Sequence, residues 1–194
     1  MRLVFATHNP GKLRELQAAL APLDATLIAQ STLGIESAPE TACTFIENAL
    51  IKARHAALES GLPALADDSG LLVDALEGAP GVHSARFAGP QATDRENRAA
   101  LLRALEGVPA PRKARFYCLL VFIRHAHDPR PLISEGVWEG EILTAERGDQ
   151  GFGYDPLFGV GAGRSAAELD LAEKEAVSHR GQAVRGLLRL LGHS

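Results

Sequence analysis

Two adjacent carboxylates, Asp67 and Asp68, follow the apolar run Leu62 to Ala66 and lead into Ser69 and Gly70. Neighbouring acids repel and are costly to bury unless a metal, a cation or backbone donors compensate them. On a strand, successive side chains point to opposite faces, so one acid would do chemistry and the other would support it. By itself Asp-Asp-Ser-Gly also reads as an ordinary solvated turn. A second stretch, Thr7-His8-Asn9-Pro10-Gly11-Lys12, joins the strand-like Leu3 to Ala6 to a helix marked by Leu13, Leu16 and Leu20. A helix N-terminus offers free N–H groups and a positive dipole end, Gly11 permits close backbone approach, and Lys12 adds a full charge, which together suit a phosphate. The loop lacks the second glycine and the Ser or Thr of a Walker A sequence. In Gly148 to Phe158, glycines free the backbone while Phe152 and Tyr154 offer rings that either stack on a heterocycle or pack in a hairpin. Lys174, His179 and Arg180 place three donors near one helix entrance.

The elements that must position these groups are legible in outline. With 194 residues and 46% hydrophobic content, the chain suits one α/β domain with a sizeable core. A net charge of −4 gives no general attraction to nucleic acid or to an anionic membrane, so phosphate recognition has to be local. Cys43 and Cys118 show no CxxC spacing and read as reduced, packed, cytosolic thiols. The longest apolar run, Phe116 to Ile123, is far short of a membrane span, and no signal peptide or repeat is visible.

After a second strand, Thr26 to Ala29, a polar loop from Ser31 to Cys43 carries Glu36 and Glu40. Thr44 and Glu47 predict a capping box for a helix that Gly61 closes and that buries Ile46, Ala49, Leu50, Ala53 and Ala57. Asn48, Lys52 and His55 share another face, ordinarily solvated, from which Lys52 could point toward the acidic turn. Thr93 and Glu96 predict a second capped helix, and Ser165 and Glu168 a third box. Ala114 to Ile123 is expected at the sheet centre, paired with Leu132 to Ile142. The intervening His125-Ala126-His127-Asp128 reads as an exposed connection rather than a metal cluster. A last helix carries Val184, Leu187, Leu188 and Leu191.

Five motifs in order, the loop Thr7 to Lys12, Thr44-Phe45-Ile46-Glu47-Asn48-Ala49, Asp67 to Gly70, Phe152-Gly153-Tyr154-Asp155-Pro156 and Ser178-His179-Arg180-Gly181, resemble the inosine/xanthosine triphosphate pyrophosphatase family over nearly the whole chain. The resemblance implies an elongated two-lobed α/β domain spanning residues 1–194, with a long mixed β-sheet flanked by helices and a nucleotide cleft between the lobes. It implies a cytoplasmic enzyme, usually a homodimer, with no nucleic-acid or membrane partner. Its reaction would be Mg²⁺-dependent hydrolysis of ITP, dITP, XTP and dXTP to nucleoside monophosphate and pyrophosphate, which keeps these nucleotides out of DNA and RNA.

Carried over by position, Asp68 becomes the general base and a metal ligand, Glu40 the second metal ligand, and Lys12 and Lys52 the cations on the phosphates. Thr7, His8, Asn9, Pro10 and Gly11 belong to the substrate loop, and Ser69 contacts substrate. Phe152 and Gly153 form the stacking platform, while Tyr154, Asp155, Lys174, His179 and Arg180 fall on base-recognition positions. Ala172 and Glu175 depart from the family pattern beside Lys174 and leave its charge partner unassigned. A Maf-like pyrophosphatase acting on modified pyrimidine nucleotides and a non-catalytic nucleotide sensor are the alternative readings.

Overall fold

The computed structural model describes residues 2–20, 23 and 25–192. Six strands, β1 (Arg2–Phe5), β2 (Thr26–Ala29), β3 (Ala64–Val73), β4 (Lys113–Ile123), β5 (Leu132–Ile142) and β6 (Phe158–Gly159), form one sheet in the order β2-β1-β3-β4-β5-β6. The sheet is mixed: β1 pairs in parallel with β2 and β3, whereas β5 and β6 are antiparallel. The fold is therefore the mixed α/β class expected, with β4 next to the centre, as its largely apolar character favours.

Five helices accompany the sheet: α1 (Pro10–Ala19), α2 (Phe45–Ser60), α3 (Asp94–Ala104), α4 (Leu171–Val177) and α5 (His179–Leu190). Pro10 opens α1 because its missing N–H is not needed there. Thr44 caps α2 by accepting from the Glu47 N–H, and Gly61 ends the helix in the left-handed region with φ 66°. Only the α3 box, Thr93 with Glu96, forms as expected in both directions around a true helix. Ser165 and Glu168 do form a box, but it caps the short 3-10 turn Ala166–Glu168, after which Leu169 is extended. The helix restarts on a further box, Asp170 with Glu173, which caps α4.

The chain groups into two compact units, and the boundary falls within β3, β4 and β5. The first unit, residues 1–68, 118–136 and 179–194, buries Leu3, Phe5, Leu16, Leu65, Leu120, Phe122, Val184 and Leu187 in one core, with α1 against α5. The second, residues 69–117 and 137–178, has its own core, in which Phe158 lies 4.3 Å from Phe116 and 5.3 Å from Trp138 between ring centroids. Cys118 is packed as expected, but Cys43 is exposed, because the polar loop before α2 gives it no apolar cover. His125 and His127 are exposed as expected; Asp128 is not, because Arg124 forks onto it at 2.6 and 2.7 Å and the Arg130 N–H donates to it.

Candidate active site

The acidic pair is not in a turn. β3 runs unbroken through Asp67, Asp68, Ser69 and Gly70, and both carboxylates are buried. Strand alternation sends them to different partners. Asp67 Oδ1 accepts from Lys12 Nζ at 2.7 Å, and Asp67 Oδ2 lies 3.5 Å from Arg180 Nη2. Arg180 is buried at the start of α5 and also donates to Glu15 of α1, so a run of alternating charges ties both helices to β3. Burial alone would raise the Asp67 carboxyl, but Lys12, Arg180 and Lys52 hold it well below the usual carboxylate range. Burial would likewise favour neutral Arg180, and Asp67 and Glu15 more than offset it.

Asp68 instead receives Lys52 Nζ at 2.8 Å, and the same ammonium reaches Glu40 Oε1 at 2.9 Å. Burial pushes the Asp68 carboxyl above its ordinary value; Lys52 opposes the rise and Glu40 adds to it. For Lys52, burial acts downward, and the carboxylates of Asp68, Asp67 and Glu40 outweigh it to keep the ammonium charged. Asp68 Oδ2 is buried and has no hydrogen-bond partner among the described residues. A carboxylate with one oxygen on a cation and the other open, beside a second carboxylate, fits a Mg²⁺ ion, which takes few protein carboxylates and keeps its remaining places for water and phosphate.

On the α2 face of Asn48, Lys52 and His55, Lys52 does point to the acidic pair, and the same face meets the loop that carries Glu40. Asn48 is fully buried, accepting from the Ala42 N–H at 3.0 Å and donating to the Ala42 carbonyl at 3.3 Å. Lys52 takes Glu40, and His55 Nε2 lies 2.9 Å from the Glu36 carbonyl. Three residues at i, i+4 and i+7 thus meet the loop at Ala42, Glu40 and Glu36 in turn. Meanwhile Ile46, placed on the apolar stripe by its type, is exposed.

The loop before α1 also differs from expectation at its backbone. Asn9 Oδ1 accepts from the Gly11 N–H at 2.8 Å and the Lys12 N–H at 3.2 Å, so the side chain caps the helix and those two donors are occupied. Thr7 Oγ1 accepts from the Asn9 N–H at 3.1 Å, and exposed His8 meets Ser37 and buried Gln30 through Nδ1.

In the second unit, the loop around Phe152 is the long connection between the antiparallel strands β5 and β6, built of turns and ending in the 3-10 turn Asp155–Leu157. Phe152 is half-buried, and Lys174 Nζ stands 5.2 Å from its ring centroid. Lys174 also donates to Asp155 Oδ2 at 2.8 Å, and the same oxygen accepts from the Phe152 N–H at 2.9 Å. Asp155 is thereby the charge partner of Lys174 that the sequence left unassigned. Tyr154 is buried and donates its hydroxyl to the Ser84 carbonyl at 2.8 Å, so it serves packing rather than presenting a free donor. Burial, with the charge of Asp94, pushes its phenol up. Lys174, grouped in sequence with Arg180, binds Asp155, while Arg180 binds Asp67 and Glu15. Ser69 is half-buried on β3 directly after Asp68.

Residues 3–190 match the family model described as the Ham1 family. The chain belongs to the Ham1 family. A dITP/XTP pyrophosphatase from Yersinia pseudotuberculosis is 57% identical over 192 residues, covering 98% of both chains. Another from Erwinia tasmaniensis is 56% identical over 194 residues, covering 99% of this chain and 95% of its own. Among solved structures, a HAM1 protein from Coxiella burnetii superposes with a TM-score of 0.91 at 50% identity, covering 99% of this chain and 98% of that one. Sequence reasoning missed the contacts of Glu15 with Arg180 and of Asp94 and Arg98 with Gly153. Their signal was present only as polar residues at helical spacing beside the motifs.

Proposed function

We propose that this chain hydrolyses deaminated purine nucleoside triphosphates, ITP, dITP, XTP and dXTP, to the nucleoside monophosphate and pyrophosphate, keeping them out of DNA and RNA. The names and full-length identity of its relatives support the substrate class. The observation that carries the chemistry is Lys52 shared between Asp68 and Glu40, with Asp68 Oδ2 left open. Asp68 accepts the proton of the water that attacks the α-phosphorus, and burial makes it a stronger base than an exposed carboxylate. Lys12 and Lys52 offset the charge that collects on the phosphate oxygens as the α–β anhydride breaks. Glu40 and Asp68 would hold Mg²⁺, which when bound neutralises phosphate charge.

Phe152 supplies the stacking face, with Lys174 set against its ring and fixed by Asp155. His179 and Arg180 fall on base-recognition positions by the resemblance, and either would donate a hydrogen bond to the 6-oxo group. Adenine offers a donor at that position, and each frustrated donor costs ~1–3 kcal/mol. The resemblance further suggests a cytoplasmic homodimer, which sedimentation velocity tests. Among the described residues no helix is long and apolar enough to cross a membrane.

The test of the reaction is a substrate panel of ITP, XTP, dITP, the standard triphosphates and modified pyrimidine triphosphates with Mg²⁺ and identification of the phosphorus product. Pyrophosphate released selectively from the deaminated purines is the expected result. Orthophosphate as sole product, preference for the pyrimidines, or binding without turnover would each replace this reading.

A further inference from the structure

The α3 helix has no part in the roles assigned above, yet two of its side chains end on a single glycine. Asp94 Oδ2 accepts from the Gly153 N–H at 2.7 Å, and Arg98 Nη1 donates to the Gly153 carbonyl at 2.9 Å. Asp94 and Arg98 lie at i and i+4, so they leave the same helical face, and α3 is fixed at its start by the full Thr93–Glu96 capping box. Gly153 itself sits at φ 60°, in the left-handed region, between Phe152 and Tyr154.

The residues on either side are also secured. The Phe152 N–H goes to Asp155 Oδ2, and the Tyr154 hydroxyl goes to the Ser84 carbonyl. Asn97, on the same helix, holds the segment just after Ser84, accepting from the Ala88 N–H at 2.8 Å and donating to the Ala85 carbonyl at 3.1 Å. Arg98 is further steadied by Glu146 at 2.9 Å. A glycine peptide has no side chain with which to anchor itself. Gripping it by both its donor and its acceptor fixes the direction in which the preceding ring is presented.

We infer that Asp94 and Arg98 are positioning residues for the base, acting as a two-point clamp on Gly153 that sets the plane of the Phe152 ring. The inference rests on the reading of Phe152 as the stacking face. Neither residue touches the reacting atoms. The clamp governs how tightly the purine is held, without altering the phosphate chemistry of Asp68, Lys12 and Lys52.

The test uses the full chain with Asp94→Ala, Asp94→Asn and Arg98→Met, measuring KM and kcat for ITP and the inhibition constant of inorganic tripolyphosphate, which has no base to stack. Asp94→Ala and Arg98→Met should each raise KM for ITP about fivefold, as expected for one lost hydrogen bond, with kcat within about twofold of wild type and tripolyphosphate inhibition unchanged. Asp94→Asn, which keeps an acceptor for the Gly153 N–H, should stay near wild type. An unchanged KM in both truncations overturns the clamp, as does an equal weakening of ITP and tripolyphosphate, since that marks general damage. Asp94 is the exposed member and Arg98 the half-buried one, so Asp94→Ala decides the matter if Arg98→Met does not fold. Wild-type protein that fails to turn over ITP would remove the functional reading and the clamp together, whereas normal turnover with insensitive variants removes the clamp alone.

Discussion

Lys12 Nζ lies 2.7 Å from Asp67 Oδ1, so the lysine at the start of α1 is held by a carboxylate on β3 rather than standing free in solvent. Asp67 is buried and also faces Arg180, which makes it the shared anion of two cations on two helices. Asp67 thereby sets where Lys12 stands, and Asp68 on the opposite strand face is left to Lys52 and Glu40.

Asp67→Asn should destabilise the protein by ~3–5 kcal/mol at neutral pH, because two cations lose their buried partner. The Asp67 carboxyl is held below its ordinary 3.8, burial being outweighed by Lys12, Arg180 and Lys52. Its ionised form therefore contributes stability that is full above about pH 4 and is lost as pH falls through the lowered folded value. Urea unfolding of both proteins should show a difference that narrows below about pH 4. A difference that stays constant down to about pH 2 would contradict this origin.

Asn48→Ala should act on the metal response. Losing its two bonds to Ala42 frees the loop that carries Glu40, so the Mg²⁺ concentration for half-maximal activity should rise roughly tenfold while kcat at saturating Mg²⁺ holds. A magnesium titration of activity reads this directly, and an unaltered titration would mean that Asn48 serves stability only.

Gly151→Ala meets two obstacles. The position has φ 78°, and an added Cβ would fall 2.1 Å from Asp155 Oδ2, the oxygen that holds both Lys174 and the Phe152 N–H. A stability loss of ~1–3 kcal/mol from backbone strain is expected, with a raised KM for ITP because Asp155 must move. Chemical denaturation and steady-state kinetics check the two parts separately.

Lys174→Met should cost ~3–5 kcal/mol, since Asp155 would stay buried without its cation. Adding Asp155→Asn should recover part of that loss. Unfolding free energies for the four proteins of the cycle give the coupling, and strict additivity would show that the pair does not act as a unit.

Caps, strands and alternation could be read from local sequence because each depends on a few neighbouring residues. Thr93 with Glu96, Gly61 after α2, and β5 from Leu132 to Ile142 fall where their residue types put them. Where a second, equally good signal lay nearby, local reading failed. Ser165 and Glu168 satisfied a box over a 3-10 turn while Asp170 and Glu173 began the helix. The run Asp67 to Gly70 looked like a turn because its residue types favour one, yet the sheet carries it as strand.

The sequence by itself determined the α/β class, the ordered motifs that resemble a nucleotide pyrophosphatase, and the presence of acids, lysines and an aromatic of the right kinds. Tertiary structure alone decided who meets whom: Lys12 with Asp67, Lys52 with Asp68 and Glu40, Lys174 with Asp155, and Asp94 with Arg98 on Gly153. The physical reason is that a buried charge is tolerated only with a partner, and that partner lies anywhere along the chain that folding brings within hydrogen-bond reach. Helical spacing showed that Asn48, Lys52 and His55 share a face; only the packed loop showed that this face grips Glu40 and its neighbours.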